Sequence, residues 1–118
     1  MAYDGELTER LRAAIAANPA LCDCSLEEKP MMGGIVFMVD GNMLGHCSRW
    51  KTGERMFMFR VGKEREAEAL ARPGTERLHS GARRMPGFVF VAADHCEGEA
   101  LAEWVALAGA YVTTLPAK

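Results

Sequence analysis

The stretch Gly34-Ile35-Val36-Phe37-Met38-Val39-Asp40-Gly41-Asn42-Met43 decides how this chain is read. Its first six residues form an apolar run rich in β-branched and aromatic side chains, too short for a helix and suited to a strand. Asp40-Gly41-Asn42 then supplies residues that tolerate positive φ, the chemistry of a tight hairpin. From Met43 to Trp50 the chain returns as a second strand. It turns at Lys51-Thr52-Gly53-Glu54 and runs out again from Arg55 to Val61. Strands this close in sequence pair with their neighbours, so 34–61 predicts an antiparallel meander.

Helical periodicity flanks the meander. Before it, Leu7, Leu11, Ala14 and Ile15 recur on one face of a helix expected over Gly5–Asn18, with Asp4 as N-cap and Pro19 beyond its end. After it, Lys63–Arg72 reads as a short helix with Ala67, Leu70 and Ala71 inward, Glu68 and Arg72 as an i,i+4 pair, and Pro73-Gly74 as its stop. Residues 75–87 read as a loop or irregular edge strand, and Phe88-Val89-Phe90-Val91 as a strand. A last helix carries Leu101, Trp104, Val105, Ala108, Tyr111, Val112 and Leu115 on one face, with a capping box expected at Asp94-His95-Cys96-Glu97 and Pro116 as terminator. The pattern predicts one α+β domain over 1–118, with the order helix, meander, helix, strand, helix.

No apolar run reaches the ~20 residues that span a bilayer. The acidic start Met1-Ala2-Tyr3-Asp4-Gly5-Glu6 lacks the apolar core of a signal peptide, so a cytoplasmic, bacterial-type protein is expected. Net charge is -2, but residues 49–84 hold ten of the fourteen Lys/Arg against five of the sixteen Asp/Glu. A basic middle between acidic ends is either an anion-binding face or a source of internal ion pairs.

Several stretches together resemble a known family. These are Lys29-Pro30-Met31-Met32-Gly33-Gly34 with the strand and Gly41-Asn42-Met43 that follow, then Phe59-Arg60-Val61-Gly62 and Ala71-Arg72-Pro73-Gly74. Further along come Met85-Pro86-Gly87-Phe88-Val89, Leu101, Trp104-Val105 and Leu115-Pro116-Ala117-Lys118. In order and spacing they look like the N-terminal domain of the TfoX/Sxy competence regulators. Met32 replaces the family's phenylalanine, Arg77-Leu78 its Pro-Met, and Ala82-Arg83-Arg84-Met85 its Gly-Arg-Pro-Met, while Leu44–Arg55 is longer than usual. The resemblance implies a two-layer, secretion-chaperone-like fold and a regulatory role exerted through other proteins. Some stand-alone relatives carry an RNA-methyltransferase label. Here no glycine-rich turn follows a first parallel strand, and no acidic residue ends a second.

The residues offer few chemical constellations. Gly33-Gly34 precedes a strand and lacks the Gly-Lys-Ser/Thr of a phosphate loop, so a backbone bend or close approach is expected. Cys22, Cys24, His46 and Cys47 are soft-ligand candidates without the Cys-x2-Cys spacing of a zinc turn, and adjacent His-Cys on a strand points to opposite faces. Reduced, mostly buried thiols are expected, with no cofactor and no metal. No nucleophile, base or carboxylate pair stands out, so catalysis is the last of three readings. Met56 and Met58 share one face of their strand while Phe57 and Phe59 share the other. Both faces are therefore apolar: either a protein partner or a second copy in a homodimer covers Met56, Phe57 and Met58, or loops and helices of the chain itself wrap both sides. Arg77, His79, Arg83 and Arg84 are the candidates for contacting an anion or nucleic acid, a less favoured reading because no recognition helix or exposed aromatic accompanies them.

Overall fold

Asp40 and Gly41 both take positive φ, 50° and 84°, and Val39 pairs with Asn42 across them. That is the two-residue hairpin turn whose twist matches its strands. The computed structural model describes residues 4–31, 33–50, 53–80 and 83–117, with side chains described for all of these except 77–80 and 83–85. Among them six strands form one antiparallel sheet: β1 Leu26–Met31, β2 Gly34–Val39, β3 Asn42–Arg49, β4 Arg55–Arg60, β5 Thr75–Ser80 and β6 Arg83–Ala92, in the order β1-β2-β3-β4-β6-β5. Three α-helices accompany it: α1 Gly5–Ala16, α2 Glu66–Leu70 and α3 Glu99–Val112. The α+β class and the meander β2-β3-β4 are as expected from the sequence.

One sheet face carries the helices. Phe37, Cys47, Phe57, Phe59, Val89 and Val91 join Leu7, Leu11 and Ile15 of α1 and Leu101, Trp104, Val105 and Val112 of α3 in one buried cluster. Its centre is the Trp104 ring stacked on Phe59 at 5.4 Å and 13° between planes. Burying each of these large side chains contributes about 1.5–3 kcal/mol. Alternation along β4 then sends Met56 and Met58 to the opposite face, in register with Ser48 and His46 of β3.

Several local expectations change. Leu26-Glu27-Glu28-Lys29-Pro30-Met31 is a strand, although all six residues are exposed and no alternation marks it. It is held at the sheet edge by β2 and by reciprocal bonds, with Ser25 N donating to Asp40 Oδ1 and Asp40 N to Ser25 O, both 2.8 Å. Of the two readings of 75–87, the irregular edge strand holds: β5 ends the sheet with a register shift between Arg77 and His79, and β6 starts at Arg83. Asp94–Glu97 is not a capping box: Ala93–His95 forms a 3-10 turn, and α3 starts only after Gly98 at φ 55°, whose cap has no side-chain bond. Arg72 pairs with Glu103 at 2.9 Å and lies over the Trp104 ring, because α2 ends at Leu70 and places Arg72 outside the helix. Glu68 is thereby replaced as its partner.

Glycine does what was expected of it before the first meander strand. A Cβ on Gly34 would sit 2.2 Å from the Cys47 carbonyl oxygen and 2.8 Å from the His46 ring, so the backbones of β2 and β3 approach there as only glycine allows.

Candidate anion-binding cleft

Strand β4 begins and ends with arginine, and the two ends are built differently. At its start Arg55 donates to Asp4 Oδ2 at 3.0 Å and also pairs with Glu6. Arg49 of β3 meets the same Asp4 oxygen at 3.0 Å, while Asp4 Oδ1 accepts from Leu7 N at the start of α1. Burial alone would raise the Asp4 carboxyl. The Leu7 N–H and the two guanidinium groups outweigh it and hold it at about 2. Part of the basic 49–84 segment is thus spent inside the molecule, pinning α1 to the sheet.

At the other end of β4 the backbone turns through Val61 and Gly62. Both of their N–H groups donate to the Gly87 carbonyl, at 2.8 and 3.2 Å. Gly87 N in turn donates to the buried Glu66 Oε1 at 2.7 Å. Gly62 and Gly87 take φ of 86° and 88°, and a Cβ on Gly62 would stand 2.5 Å from the Tyr111 ring. Two bare glycines therefore form the floor of a cleft of about 670 Å³. Around it stand Arg60, Lys63, Arg65, Phe88 and Tyr111. The Arg60 guanidinium lies over both rings, 5.7 Å from the centre of Phe88 and 5.6 Å from that of Tyr111. Lys63 and Arg65 are exposed. Among the described residues Arg60, Lys63 and Arg65 make no ion pair. Positive charge held without a carboxylate partner, in a concave site between aromatic walls, is equipment for binding an anion.

The other sequence candidates fall elsewhere. Met56, Phe57 and Met58 are 4%, 0% and 3% exposed, so they are interior residues and cannot present the expected partner surface. Phe57 lies under the helices. The face of Met56 and Met58 is closed by the chain itself: Trp50 packs edge-on against Phe90 at 5.0 Å, and the His46 ring bonds the Met31 carbonyl at 2.9 Å. Arg77, His79, Arg83 and Arg84 lie on β5 and β6, with Arg84 directly opposite His79 in the pairing; their side chains lie outside those described.

Cys22 and Cys24 sit in the turn after a 3-10 segment, Cys22 exposed and Cys24 half-buried, whereas His46 and Cys47 lie on β3. Cys47 faces Thr8 of α1 and His46 faces the other side. No three His, Cys, Asp or Glu side chains among the described residues are grouped as metal ligands. The thiols are unbridged, and burial pushes Cys47 upward and Cys96 up to about 12, which keeps both protonated.

A smaller groove of about 220 Å³ lies between α1 and the β1 edge, floored by Ile15, Phe37 and Val39 and open beside the exposed Leu26. Pro30, Lys29 and the two glutamates blunt that edge against strand addition. No helix among the described residues is long and apolar enough to cross a membrane.

Sequence reasoning reached the cleft only in pieces. Arg60-Val61-Gly62 and Pro86-Gly87-Phe88 belong to segments carrying the family resemblance, and Lys63 and Arg65 belong to the basic region. That Val61 and Gly62 bond the Gly87 carbonyl is a long-range fact with no local signal. Compared with protein-family models, curated proteins and solved structures, the chain matches none of them.

Proposed function

We propose that the chain is a non-enzymatic regulatory or protein-interaction module of the TfoX N-terminal-domain kind, and that it engages an acidic segment of a protein partner through the Arg60–Lys63–Arg65 cleft. One observation carries this reading: two segments of family-like sequence, 59–62 and 85–89, supply the bonded floor of the cleft, and the cations around that floor are unpaired among the described residues. Three cations grouped at one concave site without a carboxylate partner raise the local concentration of anions, which supports a ligand role. The test is affinity capture from the native cell with the natural chain and with Lys63→Glu/Arg65→Glu. A partner held by the first and released by the second supports the reading. A partner retained equally by both places binding elsewhere.

Nucleic acid is the second reading. Favouring it, the cleft residues Pro86 and Gly87 continue directly into the β5–β6 hairpin that carries Arg77, His79, Arg83 and Arg84. Against it, both aromatic walls already carry Arg60, so neither is offered to a base on that side. Salt-sensitive retention on an oligonucleotide that weakens in Arg83→Ala/Arg84→Ala supports this reading. No retention at low salt removes it.

A further inference from the structure

We propose that the anion seated among Arg60, Lys63 and Arg65 is a phosphate monoester dianion; this rests on the reading of the cleft as an anion site. Three cations and one exposed carboxylate, Glu64, line the opening, a local excess of two positive charges. Glu66 does not line the opening; its buried carboxylate accepts from Gly87 N behind the floor. A phosphate monoester carries about -1.5 to -2 at neutral pH and matches that excess, whereas one carboxylate leaves a positive charge over.

Cation–π contact with Phe88 and Tyr111 holds the Arg60 guanidinium at the wall of the cleft, and a guanidinium recognises oxyanions through its forked N–H groups. Lys63 and Arg65 line the same cleft from the turn just beyond. The floor cannot compete for this role. Its Val61, Gly62 and Gly87 N–H groups are all committed to internal acceptors, so recognition falls to the three side chains. At about 670 Å³ the cleft lies within the range of small-molecule sites, with room for more than a bare ion.

The proposal is tested by following backbone amide resonances in ¹⁵N-labelled protein at constant ionic strength. The probes are inorganic phosphate, AMP and a phosphoserine peptide, against acetate, adenosine and the unphosphorylated peptide. The three phosphate probes shift the Gly62, Lys63, Arg65 and Gly87 resonances saturably, and the three controls do not. Arg60→Ala and Lys63→Ala each weaken phosphate at least tenfold while the remaining spectrum keeps its dispersion, and Arg60→Lys recovers only part of the loss. The tighter of AMP and phosphopeptide tells whether the group arrives on a small molecule or on a modified side chain. Acetate binding as tightly as phosphate overturns the phosphoryl assignment while the anion reading stands. Silence of these amides toward every anion overturns both.

Discussion

The two ends of strand β4 carry the same residue type in opposite circumstances. Arg55 is consumed by Asp4 and Glu6, and it helps lock the first turn of α1 onto the sheet. Arg60 has no carboxylate partner among the described residues and is held by two aromatic faces at the rim of a cleft. Their side chains face different ligands because the chain arriving at each end differs: an acidic helix start at one, a glycine-floored turn and the end of α3 at the other. The difference teaches that a basic region is not one object. Its charge divides between a structural node and a binding site, and only the partners tell them apart.

The comparison is broken most severely at the floor of the cleft. Gly62→Ala places a Cβ against the Tyr111 ring in a backbone conformation that L residues avoid. We expect a loss of about 3 kcal/mol in urea unfolding, combining overpacking with backbone strain. A loss below about 1 kcal/mol means that Tyr111 yields and the floor is not built as described.

The Asp4 node gives the next effect. A folded carboxyl held at about 2 against an ordinary 3.8 contributes stability that is fully present above the ordinary value and disappears as pH falls through the folded one. The shift corresponds to about 2 kcal/mol. Asp4→Asn keeps a capping oxygen but not the charge, so its unfolding free energy should stay flatter between pH 4 and pH 2 than that of the natural chain. Parallel slopes in that window contradict the node. The smallest effect on stability belongs to Lys63→Glu/Arg65→Glu. Both side chains are exposed and make no ion pair among the described residues, so the unfolding free energy should hold to within about 0.5 kcal/mol. A large loss would make these cations structural.

The fold was legible where local chemistry and tertiary structure agree. Asp40-Gly41 announces its hairpin, and the apolar faces of α1 and α3 are readable from their spacing. The edge strand 26–31 was not legible, because a strand exposed on both sides has no alternation to detect. Gly98 hid the start of α3 behind a plausible acidic box four residues earlier. Met56 and Met58 give β4 a second apolar face, and alternation alone makes that legible. Sequence gave no means of seeing Trp50 come to rest against Phe90 on it. The cleft was visible as fragments, glycine, arginine and tyrosine far apart in sequence, whose meeting depends on the register of β4 with β6.

The division of labour along β4 is tested most directly by the urea unfolding free energies of Arg55→Gln and Arg60→Gln, with and without phosphate at constant ionic strength. A ligand that binds only the folded chain raises its stability by mass action. The account predicts that Arg55→Gln lowers stability by about 1–2 kcal/mol yet keeps the full increment from phosphate. Arg60→Gln loses that increment. Survival of the increment in Arg60→Gln, or its loss in Arg55→Gln, contradicts it.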